Sequence, residues 1–92
     1  MIPKLLIDIV DQFSSYDIML ACESLQSLYG THDKYPFTKT SINGSWSKAD
    51  LLHYFNGIDF DNRDVIGTEQ TIYMVVMAVF STIVTQKRLI GD

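Results

Sequence analysis

Apolar residues in this chain recur at helical spacing in several separate stretches, and polar punctuation divides them into four predicted helices. From Pro3 to Phe13, Leu5, Leu6, Ile9, Val10 and Phe13 fall on one side, with Lys4, Asp8, Asp11 and Gln12 on the other. Pro3 suits the first turn, where its missing N–H costs nothing. Ser14, followed three residues later by Asp17, signals the cap of a second helix running to about Tyr29. Its expected stripe is Ile18, Ala21, Cys22, Leu25 and Leu28, and Gly30 is expected to end it as a left-handed residue. Two tightly joined antiparallel helices are the natural outcome.

Residues 31–46 lose this regularity. Asn43-Gly44 is a turn signal, because both residues tolerate positive φ. It fits either a short hairpin from Thr38–Ile42 to Ser45–Ser47 or a loop. The flanks lack apolar alternation, so the loop is expected. Ser47 with Asp50 then repeats the capping pattern, ahead of a short ridge of Leu51, Leu52 and Phe55 that Gly57 closes. Thr68 is placed to cap the last element, from Thr71 to about Leu89. Many of its residues are β-branched, which suits a strand. Strands rarely exceed about 10 residues, however, and no turn residue divides this one. Lys87 and Arg88 also complement a helix C-terminus. The prediction is a helix buried nearly all round, at the hub of an all-α, four-helix, bundle-like domain spanning residues 1–92.

Composition narrows the functional classes. With 92 residues, 47% of them hydrophobic, the chain has the makings of one folded domain with a modest core. Its net charge of −4 disfavours direct nucleic-acid binding, which needs a basic face. The single cysteine, Cys22, allows no intrachain disulfide and fits a reducing cytoplasm. The uncharged run Thr71–Thr85, fifteen residues long, is shorter than the roughly 20 needed to span a bilayer. A cytoplasmic protein without a membrane segment is expected.

The charge is unevenly placed. Residues 31–48 carry Lys34, Lys39 and Lys48 against Asp33, a balance of +2. Residues 49–69 carry only Arg63 against Asp50, Asp59, Asp61, Asp64 and Glu69, a balance of −4. Calcium does not explain the acidic stretch. Counted from Asp59 as an EF-hand loop, the fifth position is Arg63, the sixth Asp64 rather than Gly, and the twelfth Gln70 rather than Glu. His32 and His53 lack zinc-ligand spacing. Cys22 sits on an apolar stripe rather than beside a base, and no phosphate loop or nucleophile elbow occurs. No metal, cofactor or catalytic residue is expected, and the chain is not read as an enzyme.

Two readings of the acidic loop remain: solvated turn-forming residues, or a docking surface for a cationic partner. In the second, Asp59, Asp61, Asp64 and Glu69 face the partner, with Asp50, Trp46 and Tyr54 beside them around the third helix. Aromatic residues next to acids serve as interface anchors, although the core also claims them. Two opening helices ending in Leu28-Tyr29-Gly30, an irregular middle, and Asp59-x-Asp61-x-Arg63 before a long last helix together resemble the colicin D-type immunity proteins. That resemblance implies a small bacterial, acidic, helical protein that neutralises a nuclease toxin by covering its basic active site. Its partner-facing residues would be Asp59, Asp61, Asp64 and Glu69. The apolar last helix departs from the more charged one the family leads one to expect. Two alternatives stand beside it. One is a phage- or plasmid-encoded inhibitor of a host defence system, similar to an anti-CRISPR. The other is a homo-oligomeric regulator whose last helix packs on its copy along Met74, Ala78, Ser81 and Thr85. Monomer and homodimer both fit the sequence.

Overall fold

A computed structural model describes residues 2–38, 45–60 and 67–89. Among the described residues, four helices follow one another: α1 (Lys4–Asp11), α2 (Ser15–Tyr29), α3 (Lys48–Asn56) and α4 (Thr68–Leu89). They form a small all-α bundle, with α4 lying mainly against α2 while α3 packs on α1 and α2. The turn at Asn43-Gly44 lies outside the described residues.

The polar punctuation does what its chemistry requires. Ser14 takes the N-cap of α2: its Oγ accepts the Asp17 N–H at 3.2 Å, and Asp17 Oδ2 accepts the Ser14 N–H at 2.9 Å. Ser47 and Asp50 build the same reciprocal box at α3, at 3.4 and 2.8 Å. Each box satisfies N–H groups that the first helical turn leaves without partners, and such a cap is worth about 1 kcal/mol. Pro3 sits one position before α1, and its carbonyl accepts from Leu6 and Ile7. Gly30 ends α2 by a different means from the expected one. Its φ is −59°, a right-handed value; a Cβ there would run into the Gln26 carbonyl oxygen. Close approach, not left-handed backbone, reserves the position for glycine.

The core is one cluster drawn from every helix. Leu6 and Val10 of α1 are buried, and so is Phe13 just beyond its end, whereas Leu5 is 51% exposed. In α2 the stripe ends on Tyr29 rather than Leu28, which is 54% exposed. The reasons differ: α1 buries a narrower face than the predicted one, whereas in α2 the i, i+4 step from Leu25 carries the last contact to Tyr29. The largest correction concerns α4. Only Ile72, Val76, Phe80 and Ile83 are buried, a stripe of one residue per turn, and Met74, Ala78, Ser81 and Thr85 face outward. Three short helices have too little surface to enclose a 22-residue one. The helix also extends beyond the uncharged run. By length and composition Thr68–Lys87, with a mean hydropathy of 1.2, is long and apolar enough to cross a membrane, a test that core helices of soluble bundles also meet.

Phe80 gathers these elements. Its ring meets Phe13 edge-on at 5.0 Å and Phe55 of α3 at 5.9 Å. At the C-terminal end of α4, Lys87 Nζ donates to Asp17 Oδ2 at 2.9 Å, and the Asp17 carboxylate is buried. Burial alone would push that carboxyl up. The Ser14 N–H, the Lys87 ammonium and the Ser14 hydroxyl outweigh it and hold Asp17 below the ordinary carboxylate range. Phe80→Ala is expected to cost about 3–5 kcal/mol, because it removes the ring on which two others rest and opens a cavity between α3 and α4. Urea unfolding followed by far-UV circular dichroism measures it; a loss below about 1 kcal/mol would show that the junction closes without the ring.

Candidate functional site

The irregular stretch after α2 is held by two hydrogen-bond hubs. The Tyr29 carbonyl accepts the His32 N–H at 3.2 Å and the Phe37 N–H at 2.8 Å. His32 Nδ1 accepts the backbone N–H groups of Lys34 and Tyr35 at 3.1 and 2.9 Å. An imidazole that accepts at Nδ1 is neutral and carries its proton on Nε2. The turn so formed sends the Phe37 ring into the core, where it is 1% exposed, and leaves Tyr35 half-buried above it.

Tyr35 joins this turn to two helices. Its hydroxyl donates to Glu69 Oε1, in the first turn of α4, at 2.7 Å. Lys34 Nζ donates to the same oxygen at 2.8 Å and lies 5.1 Å from the Tyr35 ring centroid. The Lys34 bond first, then the Tyr35 hydroxyl and the residue's own N–H, hold the Glu69 carboxyl at about 2. Tyr35 is raised in turn, because ionising it would remove the proton that Glu69 accepts. On the other side, the Tyr54 hydroxyl of α3 donates to the Tyr35 carbonyl at 2.8 Å, and its ring meets Phe37 edge-on at 5.0 Å. Burial, with the nearby Tyr29 as a lesser cause, pushes Tyr54 up to about 12. Among the described residues the buried Tyr29 hydroxyl has no hydrogen-bond partner.

Between the turn and α3 lies an open groove of about 260 Å³. Tyr35, Pro36, Phe37 and Tyr54 give it aromatic and apolar walls, and Asp50 and His53 line its α3 side. Asp50 keeps its place through the capping box. Asp50 and Tyr54 of the sequence-predicted set therefore share one groove, and Glu69 is tied to its rim through Tyr35. Trp46 is half-buried and packs against the core, and Asp59 is exposed just beyond the buried Ile58. Asp61 and Asp64 lie outside the described residues. Glu69 does not belong to a free acidic loop: it forms a clamp with Lys34 and Tyr35.

Lys34, Tyr35 and His53 had no place in the predicted set. Pro36 was the available signal, since it keeps Tyr35 out of helical backbone and so presents an aromatic ring in the stretch that carries Lys34, Lys39 and Lys48. Cys22 is fully buried, and burial first and the Asp50 charge second push its thiol up to about 12, so no thiolate nucleophile forms there near neutral pH. Among the described residues no cluster of His, Cys, Asp or Glu could hold a metal ion. What the groove offers chemically is aromatic surface beside negative charge. Comparison of the chain with protein-family models, curated proteins and solved structures finds no match.

The clamp has a signature in acid. Glu69 has a depressed pKa in the fold, so its contribution is complete above its ordinary value of 4.5 and is lost as pH falls from there towards about 2. Lys34→Met is expected to raise the Glu69 pKa towards 4.5, read from its carboxyl carbon shift in an NMR titration. An unmoved midpoint would show that Lys34 is not the group holding it.

Proposed function

We propose that this chain is a non-enzymatic, acidic inhibitor that works by docking on a basic protein. The observation that carries this reading is the −4 balance of residues 49–69, together with the exposure of Asp59. The carboxylates steer a cationic cleft towards α3 and the loop after it, then occupy positions that nucleic-acid phosphates would otherwise take. The resemblance to colicin D-type immunity proteins narrows the partner to a nuclease toxin and the setting to a bacterial cytoplasm. Trp46 and Tyr54 supply aromatic contact beside the charge.

A second reading has its own support. The outward side of α4 carries Met74, 63% exposed, with Ala78, Ser81 and Thr85 and no charge, which favours packing against another copy. Light scattering at micromolar concentration separates the two readings: a homo-oligomer gives twice the chain mass or more, and a monomer removes this alternative.

For the docking reading, the triple variant Asp59→Asn, Asp61→Asn, Asp64→Asn is expected to keep its thermal midpoint within a few degrees and to stop inhibiting the nuclease captured by the native protein. Association of the native protein is expected to slow at least tenfold between low and 0.5 M salt, as steered encounters do. A triple variant that still inhibits at native concentrations would sink the proposal.

A further inference from the structure

We infer that His32 makes the turn after α2 a pH-operated latch, closed while its imidazole is neutral and opened when the ring takes up a second proton. His32 Nδ1 accepts the Lys34 N–H at 3.1 Å and the Tyr35 N–H at 2.9 Å. Two backbone donors converge on this nitrogen, and they need the lone pair that an unprotonated nitrogen carries. Protonation there turns the acceptor into a third donor. Both hydrogen bonds are then lost together. A flip of the ring offers no remedy, because both nitrogens of the cation carry protons.

What the latch controls is Tyr35. Its amide is held by His32, its carbonyl accepts the Tyr54 hydroxyl of α3 at 2.8 Å, and its hydroxyl reaches Glu69 of α4 at 2.7 Å. Opening the turn frees the backbone on which both contacts depend. It also frees Lys34, whose Nζ shares the Glu69 oxygen. The far end of the segment stays anchored: Phe37 is buried and its N–H is held by the Tyr29 carbonyl. Acid therefore uncouples the turn from α3 and α4 without unfolding the bundle. The latch needs no docking partner, so it stands or falls independently of the proposed inhibition.

The groups that face the imidazole keep their charge as it changes. The Tyr29 ring of α2 meets it edge-on at 5.7 Å, and the Tyr35 ring stacks on it at 6.2 Å. Burial raises the Tyr29 phenol above its ordinary value of 10, the bond to Glu69 raises Tyr35, and burial takes Tyr54 on the α3 side to about 12. Lys34 is raised above 10.5 by its bond to Glu69, and Glu69, the acid that α4 brings to the turn, is held at about 2 by that same bond. Between pH 7.5 and 5 none of these changes protonation, whereas imidazole is the side chain that titrates in this window. Asp33 is the exposed acid within the turn, and His53 lies on α3 beside the groove.

The test uses the intact protein and ¹⁵N NMR at a series of pH values from 7.5 to 5, with amide exchange rates compared with those of an unstructured chain at the same pH. Protection of the Lys34 and Tyr35 amides is expected to fall at least tenfold by pH 5, as two hydrogen bonds are lost. Cross-peaks between the Tyr35 ring and Glu69 should weaken by half or more, while the Leu25 and Val76 amides of the core stay protected. The His32 ring nitrogens, read in the same samples, should show Nδ1 gaining its proton over the pH range in which protection is lost. His32→Asn places a side-chain oxygen where Nδ1 stands relative to the backbone, and that oxygen accepts the same donors without taking up a proton. Its Lys34 and Tyr35 protection should change less than twofold between pH 7.5 and 5. Asp33→Asn and His53→Gln should each leave the native drop intact. Unchanged protection in the native protein, Tyr35–Glu69 cross-peaks retained at pH 5, or protection lost before Nδ1 is protonated would each overturn the proposal. So would a native-sized drop in His32→Asn, or disappearance of the drop in Asp33→Asn or His53→Gln.

Discussion

The whole bundle depends on where the Phe80 ring lies. Phe13 touches it from the joint between α1 and α2, and Phe55 touches it from α3, so one side chain of α4 fixes the positions of the other helices. The contacts continue outward: Phe55 meets Tyr54 at 5.7 Å, and Tyr54 meets Phe37 at 5.0 Å. An unbroken run of rings therefore leads from the centre of the core to the floor of the groove. Edge-on aromatic pairs add about 0.5–1.5 kcal/mol beyond the area they bury, and they also fix relative orientation. In a domain this small, the groove inherits its shape from the core rather than from a scaffold of its own.

Hydrophobic burial decides which face of α4 turns inward, but a stripe of Ile72, Val76, Phe80 and Ile83 leaves sliding along the helix axis weakly determined. Two ion pairs restrict it. Glu69 near the N-terminus holds Lys34, and Lys87 near the C-terminus holds Asp17. The pairs differ in weight. The Asp17 carboxylate is 5% exposed, sits within a capping box and pairs with Lys87, so the loss of that lysine would weaken the support of a buried charge. The Lys34 side chain is 61% exposed and its bond is screened by water, so that pair contributes position more than stability.

How far this could be read from sequence depended on the range of the interaction concerned. Both capping boxes were legible because Ser-x-x-Asp closes within one turn and needs no knowledge of tertiary packing. The helical state of α4 was legible from length despite its β-branched residues. Its burial was not, because exposure depends on how much surface α1, α2 and α3 can offer, and helical period carries no information about that. Leu5 was misassigned for the same reason, and Leu28 because the last turn of α2 turns Tyr29 inward instead. The Lys34–Tyr35–Glu69 clamp spans 34 and 35 residues of chain. The turn beneath it relies on a histidine nitrogen accepting two backbone donors, a use of His32 that residue type alone does not announce.

The acids of residues 49–69 are consequently unequal, although a charge count treats them alike. Asp50 caps α3, Glu69 closes a clamp, and Asp59 stands exposed after α3. Asp50 keeps its place through reciprocal hydrogen bonds with Ser47. Because the cap already holds it, the side chain has given up on folding the freedom that costs roughly 0.5–1.5 kcal/mol when a mobile one is immobilised. Glu69 is different: a second cation there must compete with Lys34, which already holds its carboxyl at about 2. On physical grounds these carboxylates differ in what fixes them: Asp50 is held by the cap of α3, Glu69 by Lys34 and Tyr35, and Asp59 stands exposed just beyond the buried Ile58.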